Sequence, residues 1–224
     1  MKKIPFLLWA IFLLVLVAGC SGEEHLWRIF DDQDHAGYID SSGDIIVKPR
    51  FERAMHFSGG YAAVRATITN KQKKAEKLWG FINAYGYQAI PFKFASVGRF
   101  SEGLCAVMLS NRWGFIDESG DIEISPRFQR VEPFSEGRAA VLVQGKWGFF
   151  DKAGKSVVVP KYAAVDSFSE GLAAVKSGYL WGYINRDGKI VISPQFVRGG
   201  SFSEGLAFVR KTWQGKAGWI NRDG

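Results

Sequence analysis

Short apolar runs alternate with turn clusters along most of this chain, and residues 104–134 show the pattern most plainly. Leu104 to Leu109 is apolar nearly throughout, which predicts a buried strand. Ser110-Asn111 makes a tight turn. Trp113 to Asp117 reads as a second strand, with Trp113 and Phe115 on one face and Ile116 on the other. Glu118-Ser119-Gly120 is a turn in which glycine is free to take positive φ. Ile122 and Ile124 then alternate with Glu123 and Ser125, the signature of a half-buried strand. Pro126 either ends that strand or marks an exposed edge. Phe128 to Phe134 is a longer connection, after which Ser135-Glu136-Gly137 starts the pattern again. The unit is therefore three antiparallel strands and a crossing segment.

The unit recurs. The glycine of a Trp-Gly pair or its relative falls at positions 37, 80, 114, 148, 182 and 218. The glycine of Phe-Ser-Glu-Gly or its relative falls at positions 60, 103, 137, 171 and 205. Each step from the first kind to the next of the second is 23 residues, and the basic period is 34. A fixed period of this length signals a repeat architecture. The expected fold is all-β, built of tandem units of about 34 residues. It is propeller-like or an open spiral. Three strands are fewer than a four-stranded propeller blade needs. The pattern also stops at Gly224, where a third strand should begin, as a shortened reading frame would leave it. Closure would need Leu26–Phe30 to supply that strand, so an open or incompletely closed spiral is expected.

The recurring residues resemble the WG-repeat family of bacterial proteins. The resemblance rests on Trp79-Gly80-Phe81-Ile82-Asn83, Trp113-Gly114-Phe115-Ile116-Asp117, Trp147-Gly148-Phe149-Phe150-Asp151 and Trp181-Gly182-Tyr183-Ile184-Asn185. Pro126, Pro160, Pro194 and the four Phe-Ser-Glu-Gly copies accompany them. It covers roughly residue 36 to the end. The first copy departs from it, with Ala36-Gly37 and Ser58-Gly59-Gly60, and the last has Ala217-Gly218. The resemblance implies a fold type and almost nothing about chemistry.

Ser-Glu-Gly offers a hydroxyl beside a carboxylate, yet a catalytic pair normally occurs once, in surroundings of its own. Glu102, Glu136, Glu170 and Glu204 recur at a strict spacing of 34, so the repeat itself needs them. The serine or glutamate is expected to accept hydrogen bonds from turn amides. The preceding phenylalanine is expected to be buried between units. A row of strand tryptophans could stack on sugars, but its recurrence favours packing between repeats. Trp27 and Trp213 stand outside the pattern and are the better candidates for an exposed contact.

The amino end is a separate object. Lys2 and Lys3 precede an apolar run from Ile4 to Val17, shorter than a membrane span, with the layout of a secretory signal. Val17-Ala18-Gly19-Cys20 resembles the lipobox of bacterial lipoproteins. That resemblance implies cleavage before Cys20 and acylation there, which would hold the protein at a lipid bilayer. Residues 1–19 are thus read as a signal peptide, 20–25 as a tether and 26–224 as the repeat domain of five units plus a partial one. No Asp follows Cys20, which favours the outer membrane in a Gram-negative host.

Charge and composition narrow the function. The formal net charge is +7, and loss of the signal would lower it by two. That suits an acidic partner surface and makes no case for nucleic acid. Cys105 is expected to be a small buried residue, and with Cys20 acylated no disulfide can form. His25, His35 and His56 have no metal spacing, and Asp31–Gly37 fails the calcium-loop pattern because Gly43 occupies the twelfth position. No nucleophile elbow, phosphate loop or dinucleotide fingerprint occurs. No enzyme, cofactor or metal is expected.

One irregularity remains. The hairpin between Arg65 and Gly80 is longer than its counterparts, and its tip carries Lys71, Lys73, Lys74 and Lys77 against Glu76. Insertions in repeats fall on one face, often the binding face. These lysines, with Trp27 and Trp213, are the candidate partner contacts. The expected function is a membrane-anchored, non-catalytic binding module of the envelope that takes an envelope or extracellular protein. The alternative is carbohydrate or peptidoglycan binding through exposed aromatics.

Overall fold

A computed structural model describes residues 26–69 and 73–224. Among them lie six antiparallel sheets and no helix. Sheet I holds Trp27–Phe30, Ala36–Ile39 and Ile45–Phe51. Sheet II holds Arg53–Ala54, Tyr61–Thr69, Ala75–Asn83 and Gln88–Phe94. Sheet III holds Ser96–Ser101, Leu104–Leu109, Arg112–Ile116 and Ile122–Phe128. Sheet IV holds Arg130–Val131, Ala139–Val143, Lys146–Phe150 and Ser156–Tyr162. Sheet V holds Ala164–Val165, Leu172–Ser177, Leu180–Asn185 and Ile190–Phe196. Sheet VI holds Arg198–Ser203, Leu206–Arg210 and Ala217–Ile220.

The crossing segment of each unit turns out to be a strand. Arg130–Val131 pairs with Leu142 and Val141, so the end of one sequence repeat opens the next sheet. The short strand escapes the pattern because two paired residues cannot show alternation. Pro126 marks an edge, as one of its two readings had it. The strand Ile122–Phe128 runs through it on the outside of the sheet, where a missing N–H costs nothing.

Five apolar clusters lie between successive sheets, one at each interface. Adjacent positions of a strand serve opposite clusters. Phe115 packs towards sheet IV and Ile116 towards sheet II, as the alternation predicts. Each Phe before Ser-Glu-Gly crosses an interface and meets an aromatic ring edge-on. Phe134 lies 4.8 Å from Phe115, Phe168 4.8 Å from Phe149 and Phe202 5.0 Å from Tyr183. Among the described residues no strand of sheet VI is hydrogen-bonded to sheet I, and Trp27–Phe30 pairs with Ala36–Ile39 instead. The Leu26–Phe30 segment therefore does not supply a closing strand. The array is propeller-like and open.

The Trp-Gly pair owes its glycine to a close approach. At Gly114, Gly148 and Gly182 the outer strand bulges inward, and its proline nitrogen lies 2.7, 2.7 and 2.6 Å from where a Cβ would stand. The tryptophan beside it packs against the aromatic residue that closes the outer strand, as Trp147 pairs with Tyr162. The four tryptophans of the Trp-Gly pairs belong to, or pack against, the inter-sheet clusters.

Candidate functional site

An antiparallel meander of four strands has two rims. In the four-stranded sheets the first and third connections fall on one rim and the second hairpin on the other; in sheet I, which lacks the first strand, the hairpin 31–35 takes the place of that second hairpin. The repeat uses the two rims differently.

The first rim is a ladder. Glu102, Glu136, Glu170 and Glu204 take φ between +52° and +54°, each followed by a glycine with positive φ, which makes a type I′ turn. Each carboxylate of an interior unit accepts from the glycine N–H of the next sheet's turn. Gly137 donates to Glu102 at 3.0 Å, Gly171 to Glu136 at 2.9 Å and Gly205 to Glu170 at 2.9 Å. A cation from the third connection of that same next sheet completes each contact: Lys152 at 3.3 Å, Arg186 at 2.9 Å and Arg222 at 3.3 Å. The Gly205 N–H beside Glu170 holds its carboxyl below the usual range. The serines do the opposite of what a turn acceptor would do. Their hydroxyls donate across the interface, Ser101 to the Phe134 carbonyl at 2.7 Å, Ser135 to Phe168 at 2.8 Å and Ser169 to Phe202 at 2.7 Å.

The ladder explains a pairing hidden in the sequence. Where Gly59 replaces the glutamate, the matching cation position in sheet III is Glu118. Acid and base are lost together. Replacing Glu136 and Glu170 together with glutamine should lower the thermal midpoint of the whole domain while leaving its β spectrum intact. An unchanged melt combined with a lost binding activity would make the motif functional and refute the structural assignment.

Among the described residues the second rim carries no such shared contact. Its hairpin tips differ from sheet to sheet and are exposed: Asp31, Asp32 and Asp34 in sheet I, then Lys73 and Lys74, Asn111 and Arg112, Lys146, Tyr179, and finally Lys211, Trp213 and Lys216. The long hairpin and Trp213, picked out separately in the sequence, thus share this rim. Trp213 is 66% exposed. Lys74 lies 3.2 Å from Glu76. Lys77 is committed to Glu52 at 2.9 Å, a carboxyl held low first by the Thr67 hydroxyl and then by Lys77. Trp27 is paired with Ile39, at the end of its strand away from the second rim, so the structure does not join it to the others. Lys71 and Cys20 lie outside the described residues. Cys105 is buried, and burial pushes its thiol up to about 12, which leaves it inert. Among the described residues no group of three or more His, Cys, Asp or Glu side chains could hold a metal ion.

Similarity to known proteins bears on the fold and the family. A comparison with characterised proteins finds no match. Among solved structures the chain is similar to apo AztD from Citrobacter koseri, at 13% identity and a TM-score of 0.48 over 89% of this chain and 68% of that one. It is also similar to Kluyveromyces lactis Hsv2, at 13% identity and a TM-score of 0.46 over 83% and 70%. At that level of overlap neither likeness carries an inference about ligand. The model of the WG containing repeat matches residues 37–66, 79–113, 113–147, 147–181 and 181–212, more than half of the chain. The spacing of the Trp-Gly pairs, the glycine approached by its outer strand and these tandem matches agree: the chain belongs to the WG containing repeat family.

Proposed function

We propose that this protein is a non-catalytic binding module, held at the envelope membrane by an acylated Cys20, that docks an acidic protein surface with its second rim. The carrying observation is the contrast between the rims. The first is bound up in inter-sheet hydrogen bonds, whereas the second differs from sheet to sheet and, beyond the acidic tip of sheet I, presents Lys73, Lys74, Arg112, Lys146, Lys211 and Lys216 to solvent. Repeat folds offer such extended rims to partners, and clustered charge speeds and orients encounter. Export and lipid attachment rest on the signal layout and the Val17–Cys20 lipobox. In a Gram-negative cell the outer membrane would be the destination.

Charge reversal of Lys71, Lys73 and Lys74 to glutamate should weaken retention of the envelope partner by about tenfold at low salt, with the difference shrinking as salt rises. Equal retention of both proteins across the salt series would remove the rim from the account. A second reading, stacking on wall glycan, draws on Tyr179 and Trp213, both exposed on the same rim. Sedimentation with purified wall polymer, lost on Trp213→Ala, would favour it over a protein partner.

A further inference from the structure

Sheets IV and V meet imperfectly, and the imperfection is polar. The aromatic residue that ends each outer strand is Phe51, Phe94, Phe128 and Phe196 in the other sheets that have one, but Tyr162 in sheet IV. Phenylalanine therefore suffices for the packing. The Tyr162 side chain is 4% exposed, and its hydroxyl is buried with no hydrogen-bond partner. A buried hydroxyl in that state costs stability and calls for a partner.

Two further departures surround it. In sheets I, II and III the basic residue before this aromatic reaches the glycine carbonyl of the next sheet's third connection. Arg50 donates to Gly86 at 3.1 Å, Lys93 to Gly120 at 3.5 Å and Arg127 to Gly154 at 2.8 Å. Lys161 makes no such bond to Gly188 among the described residues; its ammonium lies 5.3 Å from the Tyr162 ring centre. Ser177 stands where sheets II, III and IV have Ala66, Leu109 and Val143. Lys161, Tyr162 and Ser177 line one cavity of about 230 Å³, together with apolar Val175, Ile190 and Pro194. No carboxylate lines it.

We infer that this cavity is a binding site for a small organic acid. The Lys161 ammonium and the hydroxyls of Tyr162 and Ser177 supply donors for a carboxylate, and Val175, Ile190 and Pro194 supply contact for a compact apolar body. The volume lies below the range usual for drug-sized ligands, about 300–1,000 Å³, so the ligand is small. The site borders the second rim, with Ser177 entering the Gly178-Tyr179 hairpin, but it does not depend on the docking proposed there.

The probe is benzoate, with benzamide as its uncharged counterpart, added to the full chain in a thermal melt and in calorimetry. Benzoate should raise the midpoint saturably, and benzamide should bind about tenfold more weakly. Tyr162→Phe installs the residue that the other sheets carry, so the protein should fold and be at least as stable without ligand, yet bind benzoate about tenfold more weakly. Lys161→Gln should have the same effect on benzoate and little on benzamide. Equal responses to the two probes, an unaltered affinity in Tyr162→Phe, or no saturable response to benzoate would each overturn the assignment and leave the cavity to water.

Discussion

Gly148→Ala should unfold or severely destabilise the domain, by about 3 kcal/mol or more. A Cβ at Gly148 would run into the Val158 carbonyl and stand 2.7 Å from the Pro160 nitrogen. Both are backbone atoms of the outer strand, so no side chain can rotate away. The strand would have to leave, taking Val158 and Tyr162 out of the cluster between sheets IV and V. Gly218→Ala is the matched control. It is the equivalent glycine of sheet VI, and nothing lies within 4 Å of the added atom. Its effect should stay within about 0.5 kcal/mol. Denaturant melts of the two variants give the comparison, and similar losses would mean that the glycine serves some other need.

Phe168→Ala should cost about 3–5 kcal/mol. The ring is 2% exposed and sits edge-on to Phe149 between sheets IV and V. Its truncation opens a cavity that two rigid sheets cannot close. Phe208→Ala, at a ring 40% exposed on sheet VI, should cost far less. A thermal midpoint shift of roughly 2–4 °C per kcal/mol would make the difference plain. Comparable midpoints for the two variants would contradict the assignment of this phenylalanine to an interface.

The period of 34 residues, the three long strands of each unit and the facing of Phe115 and Ile116 were legible in the sequence because alternation and turn glycines report them directly. The short strand Arg130–Val131 was not, since its identity lies in the sheet it joins and not in its composition. The Glu–Gly–cation ladder was half legible. Recurrence marked Glu136 as structural, but its partners Gly171 and Arg186 are 35 and 50 residues away, and only folding brings them together. The joint change at Gly59 and Glu118 was the available clue. The long lysine hairpin and Trp213 were each visible, whereas their common rim required the strand directions. The cavity at Tyr162 left only faint traces, a Phe-to-Tyr change and a lone Ser177, which acquire meaning once one cavity joins them.

The central claim is that one rim builds the array and the other meets the partner. Photo-crosslinkers placed singly on the membrane-attached full chain test it most directly, at Lys73 and Lys146 on the second rim and at Tyr85 on the first. Tyr85 is 72% exposed, so accessibility does not bias the comparison. One recurring acidic protein should be captured from both lysine positions and not from Tyr85, and charge reversal of Lys71, Lys73 and Lys74 should weaken its capture from Lys146. Capture of the same protein from Tyr85 alone, or equally from all three positions, would contradict the division of the rims.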